Sequence, residues 1–287
     1  VRDGNGKVIQ FGGLEVIDNG QTIMEQWGVV MGLYAGGGKG KTTFACSLAD
    51  PAINPEGHDL PMAILDAEAG IKSVAHLIGP NLQEIPCNTV TKLEAFVAAA
   101  KVTPRADFPW KTLALDNLSF LVTQALEEQG LHGRSTPGGG LTSSQPDYNA
   151  MTTRLTSVLR DLRDLSTSHG ANIIFFLWEQ TEKTEAGVVL GHRADITPRL
   201  GSRVQGMLDY IGYMTVLNNP PRWTRKLDFS PNPELDSKMR RRPDEASQAI
   251  PFELYNPNLA DILNTIKRGA AFPVSKFARP VSAVTGR

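Results

Sequence analysis

The segment Ala35-Gly36-Gly37-Gly38-Lys39-Gly40-Lys41-Thr42-Thr43 carries the most specific chemical signal in the chain. It follows the phosphate-cradling pattern G-x-x-x-x-G-K-[ST], with Ala35 as a small-residue variant at the first position. Glycines let a backbone fold round phosphates and aim its N–H groups inward. A helix starting near Lys41 adds its positive end. Lys41 is expected to reach the β- and γ-phosphates, Thr42 to ligate Mg²⁺, and Lys39 to stay solvated. The chemistry implied is binding of a nucleoside triphosphate, most simply Mg-ATP.

Carboxylates at the ends of apolar runs supply the rest. Asp116 closes the run Thr112-Leu113-Ala114-Leu115 and fits the second metal carboxylate of a triphosphatase. Asn117 follows it, where many such enzymes place a catalytic Glu. The base must then come from elsewhere or be absent. Glu68 is the first candidate, two residues past the run Met62-Ala63-Ile64-Leu65. Glu179, after the run 172–177, is its rival. It could instead work with Gln180 as a polar sensor of the γ-phosphate.

Elements must bring these residues together. Short apolar runs begin at Gly28, Met62, Thr112 and Asn172, and each ends in polar residues. Helical patterns lie between them, at about 91–101, 118–129 and 147–168, with a further helix-like stretch from Lys41 to Ala49. Alternating strands and helices predict an α/β fold with a mostly parallel central sheet and helices on both faces. In such sheets ligands collect at the carboxyl ends of the strands, so all four polar ends are expected on one edge. Residues 1–26 read as a leader and 27–268 as one ATPase domain with a core over 28–217. A basic extension covers 218–268, with a strand and a helix near 250–268, and 269–287 read as a tail.

Composition narrows the field. The chain has 287 residues, 41% hydrophobic and 21% charged, with net charge −1. That is ordinary for a soluble core and gives no global basic field towards nucleic acid. Cys46 and Cys87 lack metal-ligand spacing, and free thiols imply a reducing compartment, the cytoplasm. No apolar run approaches a membrane span, so no membrane role is expected.

These residues in this order resemble the core of RecA-type recombinases over about residues 28–217. Asp66-Ala67-Glu68 is similar to that family's strand end carrying the catalytic base. Thr112–Asp116 resembles its metal-binding strand, and 172–180 its strand ending in a coupling glutamine, here Gln180. The sequence is closer still to short phage-encoded RecA-like ATPases of recombination and single-strand annealing. It shares a Gln145-Pro146-Asp147-Tyr148 segment, Thr197-Pro198-Arg199-Leu200-Gly201-Ser202, and basic Lys238-Met239-Arg240-Arg241. A departure is the place of the recombinase's adenine-stacking tyrosine, which holds Ala75 and His76.

The resemblance implies catalytic roles for Glu68, Lys41 and Gln180, with ATP and Mg²⁺ as cofactors. It implies single-stranded DNA as partner, contacted from irregular loops at 131–146 and 181–203 through Arg134, Lys183, Arg193, Arg199 and Arg203. It also implies a head-to-tail homo-oligomer, filament or ring, in which Lys238, Arg240 or Arg241 stabilises charge on a neighbour's nucleotide. A single-strand-binding or annealing protein is a further expected partner. If phage-encoded, the chain would work in the host cytoplasm. Two other readings stay open: a motor or loader-like ATPase with a protein partner, and a small-molecule kinase. The kinase reading lacks a compact arginine-bearing lid.

Overall fold

Side chains alternate along the apolar runs, and that alternation builds the fold from two separate apolar layers. A computed structural model of the chain describes residues 10–11, 14–15, 27–131, 145–219, 222–240 and 248–277. Its strands are β1 (Gln10–Phe11), β2 (Leu14–Glu15), β3 (Val30–Ala35), β4 (Met62–Asp66), β5 (Leu82–Pro86), β6 (Thr112–Asp116), β7 (Asn172–Lys183), β8 (Val189–Ala194), β9 (Tyr210–Asn219), β10 (Arg222–Asp228), β11 (Lys238–Met239) and β12 (Glu253–Tyr255). The α-helices are α1 (Lys41–Cys46), α2 (Val90–Val102), α3 (Leu118–Leu131), α4 (Gln145–Ser168), α5 (Pro198–Met207) and α6 (Leu259–Arg268).

β1 and β2 form a small ladder of their own. The central sheet runs β12-β10-β9-β3-β7-β6-β4-β5, with β8 paired to β7 and β11 to β9. From β9 to β5 every pairing in that order is parallel. The β10, β11 and β12 pairings are antiparallel. The fold is therefore α/β with a mostly parallel sheet, as a P-loop NTPase core requires.

Period-two alternation sends Val30, Tyr34, Leu113, Leu115, Ile173 and Phe175 to one face, under α2, α3, α4 and α5. Met31, Leu33, Ala114, Ile174 and Phe176 face the other way, towards α1, the 3₁₀ turn Gly70–Leu77 and α6. Both faces being covered explains why the central strands read as continuous apolar runs. Ser47 ties the second layer together: its hydroxyl donates to Phe44 O at 2.6 Å and accepts from Leu259 N at 3.0 Å.

The four polar strand ends do share one edge. Asp66 pairs in register with Asp116, and Ala35 with Trp178. β7, inserted between β3 and β6, separates the phosphate-loop strand from the Asp116 strand. At the opposite edge Asn172 is wholly buried and bridges two strands. Its Oδ1 accepts from Val29 N at 3.0 Å and its Nδ2 donates to Thr112 Oγ1 at 3.1 Å.

Two expectations need correction. Residues 181–203 are not an irregular loop. β7 continues to Lys183, pairs antiparallel with β8, and α5 follows from Pro198. The polar residues after Leu177 still form a strand because β8 satisfies their backbone. The helix after the phosphate loop stops at Cys46 rather than reaching Ala49, and tighter turns close it. Residues 132–144, the core of the other expected loop, lie outside the described residues.

Close backbone approach fixes the start of β3. Gly28 N donates to Ser166 O at 2.7 Å, and a Cβ built there would lie 1.8 Å from Ala171 O. The clash is with backbone, so Gly28→Ala should cost on the order of 3 kcal/mol. Urea unfolding measures this; an unchanged midpoint would contradict the packing described.

Candidate functional site: the phosphate-loop edge

The loop after β3 is shaped by glycine. Gly38 and Gly40 sit at φ 69° and 95°, the left-handed region that favours glycine. Gly40 is the N-cap of α1, and Phe44 N returns to Gly40 O at 2.9 Å. Lys41 opens the helix and folds back under the loop. Its Nζ donates to Ala35 O at 3.0 Å and Gly36 O at 3.3 Å. Burial pulls the Lys41 pKa down, while Asp116, Glu68 and Glu179 hold it up. The ammonium thus lies inside the cradle.

Thr42 Oγ1 donates to Asp116 Oδ2 at 2.6 Å, joining α1 to the end of β6. Asp116 is 2% exposed, and burial pushes its carboxyl up to about 6. The Thr42 bond and Lys41 oppose the rise; Glu68 and Asp66 add to it. Neighbouring Asp66 uses Oδ1 to accept from Glu68 N and Gly70 N, both at 3.2 Å, and so shapes the turn that carries Glu68. Glu68 stands exposed at the rim, and partial burial raises its pKa. The Lys41 charge favours its ionised form, and the Asp66 charge opposes it.

Four buried side-chain polar atoms lack a hydrogen-bond partner among the described residues, and two of them, Asp66 Oδ2 and Asn117 Nδ2, belong to this edge. Native interiors rarely leave such atoms unpaired.

A family model described as AAA domain (AAA_24) matches residues 28–241. The chain belongs to this family. It is an AAA-type P-loop ATPase-like domain. No curated protein matches it.

The AAA domain also locks its loop to β7. Glu179 Oε2 accepts from Gly36 N at 2.9 Å, and Oε1 accepts from Tyr213 Oη at 3.2 Å and lies 2.6 Å from His192 Nδ1. His192 stacks on Tyr213, with ring centres 5.0 Å apart. Burial, with the Glu179 charge beside it, pushes the Tyr213 phenol up to about 12, so it remains a donor. Glu179 is therefore engaged through both oxygens. The structure brings Lys41, Thr42, Asp116 and Glu68 together, and places Glu179 as a brace between the loop and the β7–β8 hairpin. Gln180 is exposed one residue further on.

The other basic residues divide. Lys183 is exposed at the end of β7. Arg193 reaches Glu182 and Asp236, each at 3.4 Å, and Pro233 O at 2.9 Å. Arg199 donates to Asn149 Oδ1, and Arg203 to Thr156 Oγ1 at 3.1 Å. Lys238 donates to Gln205 O and Leu208 O, at 3.0 and 2.8 Å, and so caps the C-terminal end of α5. Arg240 pairs with Asp209 at 3.3 Å. Lys238 and Arg240 lie by the first residues of β9, away from the phosphate loop. Arg134 and Arg241 lie outside the described residues.

Sequence reasoning missed Asp66 as a site residue, although its place beside Glu68 was in view. It also gave no role to Arg225, which the fold lays against Gly40.

The raised Asp116 carboxyl makes a stability prediction with a definite sign. In the unfolded chain an Asp ionises near 3.9. The folded protein binds the proton more tightly, so its stabilising effect is complete below about pH 4 and is lost as pH rises through about 6. Asp116→Asn should therefore raise the stability of the nucleotide-free protein at pH 8 by about 3 kcal/mol and lose that advantage below pH 4. Equal melting temperatures at pH 8 would contradict it.

Proposed function

We propose that the protein hydrolyses Mg-ATP at this edge as a RecA-like ATPase acting on single-stranded DNA, with Glu68 as general base. The observation that carries the reading is the hydrogen bond from Thr42 of the phosphate loop to Asp116, set beside Glu68 and the unpaired Asp66 Oδ2 and Asn117 Nδ2.

The donor set fits Mg²⁺. Among the described residues no group of His, Cys, Asp or Glu is arranged to hold a metal alone. Mg²⁺ needs no such cage, since it keeps waters and uses one or two carboxylates with substrate phosphates. Thr42 and Asp116 would hold it, and when bound it neutralises charge on the β- and γ-phosphates.

The chain's own residues do the rest. The N–H groups of the loop cradle the phosphates. Lys41 leaves Ala35 O and Gly36 O for the β- and γ-oxygens. Glu68 accepts a proton from the attacking water as the γ-phosphorus–oxygen bond breaks, giving ADP and inorganic phosphate. Glu68 is preferred over Glu179 because both oxygens of Glu179 are already engaged. Gln180, next to Glu179 and in register with Arg193 of β8, would pass the state of the γ-phosphate to the hairpin.

DNA contact would fall on that hairpin and α5, where Lys183 is exposed. Arg193, Arg199 and Arg203 would have to exchange their present partners for phosphate. Arg134 is a further candidate of the same reading. A homo-oligomer, ring or filament, would let Lys238, Arg240 or Arg241 reach a neighbour's nucleotide. A second reading has its own support. Val188, Val189 and Leu190 at the hairpin are 61%, 49% and 56% exposed, an apolar tip suited to a protein partner such as a loaded motor or a single-strand-binding protein.

Lys41→Ala should abolish nucleotide binding in calorimetry. Glu68→Gln should keep binding and lose about 10²-fold or more in hydrolysis. Normal turnover in Glu68→Gln would remove it as the base. Single-stranded DNA should change the ATPase rate, with binding that weakens as salt rises. If DNA neither binds nor alters hydrolysis, the DNA reading falls and the protein-partner reading takes its place.

A further inference from the structure

We propose that the outer part of β10 binds the nucleoside end of the nucleotide. Trp223 supplies a stacking face for the base, and Arg225 a cation for the phosphate nearest the nucleoside. This rests on the reading that the phosphate loop holds ATP.

Strand register places the pair. β3 and β9 stay paired only as far as Tyr34 and Tyr213, yet β9 runs on to Asn219. β10 returns beside it, with Arg225 opposite Val216 and Trp223 opposite Asn218. The β9–β10 hairpin therefore stands beyond the sheet edge, next to the phosphate loop. Trp223, Arg225 and Leu227 share one face of β10 by alternation. Leu227 is buried in the layer that includes Phe44 of α1, so this face looks towards the phosphate-loop helix.

The contact itself is close. A Cβ on Gly40 would lie 2.3 Å from Arg225 Nε and 2.9 Å from its Cδ, so the arginine lies flat against the loop. Its backbone is clamped by Asn256: Arg225 N donates to Asn256 Oδ1 at 3.1 Å, and Asn256 N to Arg225 O at 2.7 Å. Lys226, on the opposite face, is neutralised by Asp228 at 2.8 Å and Glu253 at 2.7 Å. The Arg225 guanidinium has no hydrogen bond or ion pair among the described residues. Trp223 is 71% exposed. An unpaired cation and an uncovered indole on one face beside the phosphate loop match a nucleotide, which offers phosphate charge and an aromatic base together.

Calorimetry with Mg-ATP and with Mg-tripolyphosphate tests this on the full chain. Trp223→Ala should weaken ATP binding about fivefold or more and leave tripolyphosphate within twofold of wild type, because only ATP has a base to stack. Trp223→Phe should recover most of the loss. Arg225→Ala should weaken both ligands about tenfold. If Trp223→Ala and Arg225→Ala both bind ATP within twofold of wild type while Lys41→Ala loses it, the hairpin assignment is overturned and the phosphate-loop reading stands. If the wild-type chain binds neither ligand, both are overturned.

Discussion

One buried ammonium faces a group of carboxylates at the edge of the sheet, and the rest of the structure depends on that confrontation. Lys41 sits inside the loop, held by Ala35 O and Gly36 O, with Asp116, Glu68 and Glu179 close enough to stabilise its charge. Asp66 and Glu68 in turn push Asp116 towards its protonated form. Such a cluster is costly in a water-poor site unless further charge and hydrogen bonds complete it. On the proposed reading, a triphosphate would give Lys41 new partners and a divalent cation would satisfy Asp116.

The parallel sheet makes this confrontation unavoidable. Registers between β4 and β6 and between β3 and β7 fix the strand ends, and apolar layers on both faces prevent slippage. Insertion of β7 between β3 and β6 brings Glu179 to the loop. There it joins Gly36 to His192 and Tyr213, so a change at the first loop amide is felt directly by β8 and β9. The loop and the hairpin are thus joined by hydrogen bonds.

Much of this was legible in the sequence because buried parallel strands are nearly uniform apolar runs. The strands at Val30, Met62, Thr112 and Asn172, and the helices between them, follow from periodicity. The phosphate loop follows from its glycines. What could not be read has a common cause: strands that are short, exposed or antiparallel lack that apolar signature. β5, Leu82-Gln83-Glu84-Ile85-Pro86, is an edge strand with mostly exposed side chains. β10, rich in basic residues, looks like part of a basic extension until its pairing with β9 is seen. The hairpin at 181–203 was hidden by its polar composition. The partners of Arg193, Lys238 and Arg240 depend on contacts distant in sequence, beyond any local pattern. The same holds for Arg225, whose nearness to Gly40 exists only through the fold.

A crystal structure with Mg²⁺, ADP and aluminium fluoride, a mimic of the transferring phosphoryl group, tests the central claim most directly. The expected result is Lys41 Nζ moved from Ala35 O and Gly36 O to the β- and γ-positions, with Thr42 and Asp116 at the metal and the in-line water on the Glu68 carboxylate. An in-line water held by Glu179, with Glu68 turned to solvent, would contradict it.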